Sequence, residues 1–280
     1  MVTDCHIHLV PIKLQKPEFD AELRKQAGYS QWETFCASPK AFLQHLDSIE
    51  VDRTMLVSTA EPQMTGISQL DINNFVTGYV KENPRRLLAS GGLDLQPGMK
   101  VEEEFHQLLR MGIRMLKFHP PHQFFYANAY RDGFKELEVM YRLAEANGIP
   151  VMVHTGTSVF PGARNKYADP IYLDDVSVDF PRLKIILAHG GRPIWMETAF
   201  FLLRLHRNMY FDISGIPPKK LLSYFPRLEE IAHKTLFGSD WPNPGVPEIQ
   251  ANLAAFRDLP LSEQAKDCIV SQNALKLWPA

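Results

Sequence analysis

The fold class that this sequence predicts is α/β, a single (β/α)8 TIM barrel, and three observations point to it. Short β-branched and aliphatic runs alternate with amphipathic stretches along the whole chain. The alternation counts out to eight strand-then-helix units, with no linker-like break in composition between them. The length of 280 residues suits one such barrel, which typically needs about 250. A doubly wound open sheet also alternates, but eight regular units without a GxGxxG turn place it second. Two smaller domains are the other competitor; the expectation is one domain over residues 1–280.

In chain order, the predicted strands are Val2–His6, Arg53–Thr59, Leu87–Leu93, Ile113–Phe118, Pro150–His154, Lys184–Ala188, Met209–Ile213 and Thr235–Gly238. The helix-like stretches that follow them are Pro39–Ile49, Leu70–Asn83, Val101–Met111, Phe134–Asn147, Pro170–Asp179, Pro193–Leu205, Pro218–Ala232 and Glu248–Phe256. A last helical stretch, Ser262–Leu277, closes the chain. Ser38-Pro39 and Asp169-Pro170 each set a capping oxygen before a proline suited to a first helical turn. Asn147-Gly148 ends a helix and turns into the next strand. The long segment Leu9–Ser38, carrying Tyr29, Trp32 and Phe35, departs from a minimal barrel and reads as a lid or an insertion that shapes a pocket.

Composition narrows the function classes. A net charge of −2 removes the electrostatic case for a nucleic-acid or anionic-membrane partner. Hydrophobic residues at 45% suit a globular protein. The three cysteines, Cys5, Cys36 and Cys268, are scattered and odd in number, which reads as a reducing setting rather than a disulfide framework. With no signal-like start and no apolar run of about 20 residues, the expectation is a cytoplasmic protein without a membrane partner.

Polar residues fall where each apolar run stops. The first strand ends in His6-x-His8, the fourth in Lys117-x-His119, the fifth in His154, the sixth in His189 and the eighth in Asp240. In a closed parallel barrel these ends converge on the face where active sites sit. Taken singly, each has a bland reading: a hydrogen-bonded surface histidine, a structural lysine ion pair, an aspartate capping a turn. Taken together they form a metal-competent set at one pole. Alternation along the first strand points His6 and His8 to one side, with Asp4 beside them. A divalent ion takes neutral imidazoles and a carboxylate, and it removes the cost of crowding His6 against His8. Bound water would then have a pKa of about 7.

The motifs DCHIH, LKFHP, VMVHTG, LAHGG, NMYFDISG and LFGSDWP, with the closing NALKLW, resemble the amidohydrolase superfamily. They are closest to the amidohydrolase-related branch that includes aminocarboxymuconate-semialdehyde decarboxylase. The resemblance implies that His6, His8, His154 and Asp240 ligate one divalent ion, zinc most often in this branch, with manganese the other candidate. His189 would be the general acid/base, and Asp240 would double as proton acceptor. In some relatives the lysine at the position of Lys117 is carboxylated and bridges two metals; in that version His189 becomes a ligand of the second ion. Otherwise Lys117 is a counter-charge or touches a substrate carboxylate. His119 touches substrate in either version. Arg192, just after His189-Gly-Gly, is placed to hold a carboxylate by two hydrogen bonds, or is a surface arginine. Trp241 walls the pocket or packs, and Asp212 is placed to orient a histidine. His122, Phe124, Phe125 and Tyr126 are candidates for an apolar wall, whereas His45, His106, His206 and His233 read as structural.

Four functions compete. The first is a metal-dependent hydrolase in which activated water attacks an amide, ester or lactone. The second is a non-oxidative decarboxylase or hydratase on the same mononuclear site. A nuclease lacks its basic, aromatic-laced stripe, and a purely structural metal leaves His119 and His189 unexplained. The expected substrate class is small planar carboxylic acids or their lactones. A homodimer is compatible with the architecture, although no segment marks an interface.

Overall fold

The computed structural model describes residues 1–25, 28–243, 245–246 and 248–279. Eight parallel strands lie side by side in sequence order: β1 (Thr3–Ile7), β2 (Arg53–Leu56), β3 (Leu87–Gly92), β4 (Met115–Phe118), β5 (Val151–His154), β6 (Ile185–Ala188), β7 (Met209–Asp212) and β8 (Thr235–Leu236). The sheet curls into a barrel with its helices outside, so the predicted fold class is the observed one. Closure runs through the segment after β8: the Cys5 amide donates to the Phe237 carbonyl (2.9 Å), Asp240 to His6 (2.8 Å) and His8 to Trp241 (2.9 Å).

The strands bury two sets of side chains. Cys5, Met55, Met115, Met152, Ile186 and Leu236 fill the barrel, and the opposite faces pack on the helices. Fully burying such a side chain contributes about 1.5–3 kcal/mol. Trp278 plugs the bottom; its indole donates to the Arg114 carbonyl (2.9 Å), and Arg53 Nη1 donates to the Trp278 carbonyl (2.9 Å). The helix Val101–Met111 matches its predicted bounds, burying Val101, Phe105 and Leu108 while its first turn carries Glu102, Glu103 and Glu104. Ser38 Oγ accepts from the Ala41 amide (3.1 Å) with Pro39 at the first helical position. Asp169 Oδ1 accepts from Ile171 (2.9 Å), although the helix itself begins at Tyr172.

Three expectations change. The strand β1 holds one more residue between Asp4 and Ile7 than β2 holds between Thr54 and Leu56, so strict alternation fails there. Asp4 therefore does not accompany His6 and His8; its Oδ1 accepts from the His6 amide (3.1 Å) and the Ser239 amide (3.0 Å). Second, Leu9–Ser38 contains helices Pro17–Leu23 and Tyr29–Ala37, with residues 26–27 outside the described residues. Trp32 is buried there and donates to the His8 carbonyl (2.8 Å), so this cover is fastened to β1. Third, the stretch Pro218–Ala232 splits into Pro218–Tyr224 and Leu228–Lys234, because Pro226 cannot sit inside a helix. The closing stretch, by contrast, runs on without a break as Glu263–Asp267, a wide-turned Cys268–Gln272 and Asn273–Leu277. Among the described residues, no helix is long and apolar enough to cross a membrane.

Gly92 at the end of β3 lies so close to β2's continuation that a Cβ there would overlap the Ala60 backbone nitrogen. Asn73 clamps it, accepting from the Gly92 amide (2.9 Å) and donating to its carbonyl (2.9 Å). Gly92→Ala should lower the unfolding free energy by about 2 kcal/mol. A reduced urea midpoint at unchanged slope would show it; an unchanged midpoint would mean that the loop yields without cost.

Candidate metal centre

Side chains from β1, β5, β6 and the segment after β8 meet at the carboxyl-terminal pole. His6 Nε2 and His8 Nε2 are 3.2 Å apart, and Asp240 Oδ1 is 3.2 Å from His8 Nε2 and 3.5 Å from His6 Nε2. Atoms sharing one ion at about 2.1 Å lie roughly 3.4 Å apart at tetrahedral angles, so these three have the spacing of ligands. A ring nitrogen of His189 lies within 4.8 Å of ligand atoms on His6 and Asp240. His154 Nε2 is buried without a hydrogen-bond partner, and its ring is 4.7 Å from that of His189. An orphaned imidazole nitrogen beside this cluster fits a cation, because a buried acceptor without a donor is otherwise a cost.

The imidazoles are aimed by bonds on their far sides. His6 Nδ1 donates to Asp212 Oδ2 (2.5 Å), His8 Nδ1 to the Val57 carbonyl (3.0 Å) and His189 Nδ1 to the Ser214 carbonyl (2.8 Å). With Nδ1 protonated in each, Nε2 presents a lone pair. Ser214 Oγ donates to Asp212 Oδ2 (2.7 Å), holding that carboxylate in turn. Asp212 thus orients a histidine, as its place at the end of β7 suggested. Gly215 leaves room for all of this: a Cβ there would sit 2.6 Å from Asp240 Oδ2 and 3.0 Å from His189 Nδ1.

The electrostatics keep His6, His154 and His189 neutral. Burial, reinforced by the positive charges of Lys117 and Arg192, holds His6, His154 and His189 well below the usual imidazole range. Burial pushes the Asp240 carboxyl up, but the His8 hydrogen bond, the neighbouring His6 and His8 imidazoles and the Arg192 charge outweigh it and hold it below its ordinary value. Burial brings Lys117 down to about 8 against the pull of Asp212, Asp240 and Glu61. Its Nζ donates to Met152 Sδ at 3.6 Å.

A cavity of about 390 Å³ opens above the cluster. Lys117, His119 and Arg192, the expected substrate contacts, line it, and so does His154. Arg192 Nη1 donates to the Thr157 carbonyl (3.3 Å), and its buried Nε has no partner. Of the two readings of Trp241, packing is the observed one and substrate contact is not: it is 1% exposed, packed on Phe35 at 5.8 Å between ring centres, and does not line the cavity. The apolar wall is also elsewhere. Phe125 packs into the core against Phe118 and Phe134, Tyr126 stacks on Tyr172, and Phe124 points outward. Instead Val10, Phe19 and Trp32 from the β1 cover meet Phe160 from the loop after β5, with the Phe19 and Phe160 rings 5.5 Å apart.

One lining residue escaped the sequence reading. Glu61, beyond β2, is buried with Oε1 3.3 Å from His119 Nδ1. Its signal was of the same kind, an acid after an apolar strand, but it comes five positions past the end of β2 at Leu56 and reads as the cap of Pro62–Thr65.

Fold and site together describe a barrel enzyme of the metal-dependent kind. The chain belongs to the amidohydrolase family, whose model matches residues 3–280 and whose members use a divalent metal. It is similar in structure to an uncharacterized TIM-barrel protein of Bordetella bronchiseptica, at 19% identity and a TM-score of 0.76 over 99% of this chain and 97% of that one. A 2,6-dihydroxybenzoate decarboxylase bound to 2,6-dihydroxybenzoate matches at 17% identity and 0.68 over 99% and 97%. A 4-oxalomesaconate hydratase from Rhodopseudomonas palustris matches at 16% and 0.66 over 100% and 96%.

Because Asp212 sets the His6 tautomer, Asp212→Asn should weaken metal binding roughly 10–100-fold in competition with a chelator. Unchanged affinity would leave Asp212 as a packing residue only.

Proposed function

We propose that the chain is a metal-dependent hydrolase holding one divalent ion, zinc or manganese, with His6, His8, His154 and Asp240. Its substrate is a small carboxylate-bearing amide, ester or lactone. The observation that carries this reading is the mutual spacing of His6 Nε2, His8 Nε2 and Asp240 Oδ1, 3.2–3.5 Å, at the floor of the cavity. When bound, the ion supplies Lewis acidity and lowers the pKa of water.

The protein's own groups account for positioning and proton movement. Asp240 Oδ1 accepts from Asn243 Nδ2 (3.1 Å), while Oδ2 faces His189 Nδ1 at 4.0 Å. Asp240, held ionised, takes the proton of the attacking water. His189 Nε2, with its lone pair free, takes that proton on and delivers it to the leaving group. Arg192 holds the substrate carboxylate through its unpaired guanidinium face.

The second reading is a non-oxidative decarboxylase or hydratase on the same site. The buried guanidinium of Arg192 favours it, since a fixed cation can grip a carboxylate that is to be lost. The similarity to a decarboxylase and a hydratase is consistent with it.

Metal content, measured by plasma mass spectrometry on protein purified without a histidine tag, should be about one ion per chain. About two would bring in a carboxylated Lys117 bridging a second ion, with His189 among its ligands. Ring opening of lactones, beside carbon dioxide release from aromatic acids, decides between the two readings. His189→Asn should keep one ion and lower turnover about 10²–10⁴-fold; loss of the ion would make His189 a ligand. Arg192→Met should raise KM for carboxylate substrates about 100-fold and leave neutral lactones nearly unchanged. Equal effects on both would remove the carboxylate clamp.

A further inference from the structure

Beside the metal-type cluster, where the His119 ring lies 4.0 Å from that of His154, the cavity has a second polar wall that the proposed chemistry does not use. Glu61 is 3% exposed, lines the cavity, and its Oε1 has no hydrogen-bond partner. His119 Nδ1, 3.3 Å away, has none either. Gln15 lines the same wall, and both polar atoms of its amide are buried and unpaired. The three are held rigidly. The Lys16 amide donates to the Thr65 carbonyl (2.8 Å), setting Gln15 beside the helix Pro62–Thr65 that follows Glu61. Gln123 Nε2 donates to the Leu93 carbonyl (2.8 Å) and the Ala60 carbonyl (3.4 Å), while its Oε1 accepts from the His119 amide (2.8 Å).

Glu61 occupies the cap position of Pro62–Thr65 yet makes no side-chain cap bond. The ordinary partner for such a carboxyl is a helix amide. Here the group lines the cavity instead: it keeps a hydrogen bond with Thr59, but its buried Oε1, facing His119 Nδ1 at 3.3 Å, has no hydrogen-bond partner, which carries a desolvation cost. Burial lifts it to about 8 against the opposing charge of Lys117.

We propose that Glu61, with Lys117 and Gln15 beside it, is a specificity subsite for a hydroxyl group on the substrate. A hydroxyl is donor and acceptor at once, so it satisfies Glu61 and takes a bond from Lys117 or Gln15 together. A second carboxylate would meet Glu61, an ammonium would meet Lys117, and an apolar group would leave every atom of the wall unpaired. A site built to bond a hydroxyl rejects the analogue lacking it, because its own buried groups are then stranded. The subsite deepens the proposed function and rests on the reading that Arg192 anchors a carboxylate in the same cavity.

The test is binding of benzoate, 3-hydroxybenzoate and 4-hydroxybenzoate to the metal-loaded full chain by calorimetry. The 2-isomer is left out because it can chelate an ion by itself. The better hydroxybenzoate should bind at least about tenfold tighter than benzoate. In Glu61→Gln the ratio should fall below about threefold while benzoate affinity stays within about twofold. Equal binding of all three acids to the wild-type chain overturns the proposal, as does a ratio that survives Glu61→Gln. Melting gives an independent arm: Glu61→Gln and Glu61→Leu should unfold no more than about 2 °C below wild type, and a fall beyond about 5 °C in both makes Glu61 structural and overturns the proposal. If none of the acids binds, the Arg192 anchor has failed. Phenol against fluorobenzene then reads the subsite alone: a phenol preference lost in Glu61→Gln supports it, and no preference overturns it.

Discussion

The seam between β1 and the segment after β8 is the constraint on which the rest depends. A barrel must close, and here the backbone groups that close it belong to the residues whose side chains form the metal-type cluster: Asp240 donates to His6, and His8 donates to Trp241. Asp4 reinforces the same seam from its side chain through Ser239. The relative placement of His6, His8 and Asp240 is therefore set by main-chain hydrogen bonding rather than by side-chain rotamers alone. A change that opened the barrel would disperse these three residues, so fold stability and site geometry are one problem at this pole.

The second consequence is electrostatic. Several imidazoles, the carboxyls of Asp212, Asp240 and Glu61, and the cations of Lys117 and Arg192 are withdrawn from water at one pole of the barrel. Burial alone would neutralise most of them, and His6, His154 and His189 follow that rule. Asp240 departs from it because hydrogen bonds and positive neighbours surround it. A site that keeps imidazoles neutral and one carboxylate ionised already has the charge state of a metal's ligand set, which is preorganisation in the electrostatic sense.

Much of this was legible in the sequence because a parallel barrel converts linear position into place. The apolar runs before His6, Lys117, His154, His189 and Asp240 put all five at one pole, and the eight strands appear within a few residues of where their runs were read. What failed depended on information that no run carries. The extra residue in β1 rotates Asp4 out of line, and nothing in TDCHI announces it. The cover over residues 9–38 reads as loop because its helices are short and start without side-chain caps, as at Gly28. Trp241 and the Phe124–Tyr126 group were placed by adjacency to site residues, but packing against the helices outside the barrel decided where those rings went. Glu61 was missed because a capping site and a cavity site look alike in sequence, and only tertiary contact separates them.

Backbone strain falls at the same points. His189 and Asp240 are non-glycine residues in the left-handed region, at φ 65° and 69°. Such positions cost about 1–3 kcal/mol each and persist only when the surroundings hold them. At Asp240 the restraint is the seam itself, through its amide on His6 and its Oδ1 on Asn243. At His189 it is the Ser214 carbonyl on Nδ1 and, one residue on, the packing of Gly190 against Phe211 and Phe225. Asp240 and His189 are also the two residues between which the proposed proton transfer runs. Their side chains are therefore carried by strained backbone that the barrel's closure and the Ser214 carbonyl hold in place.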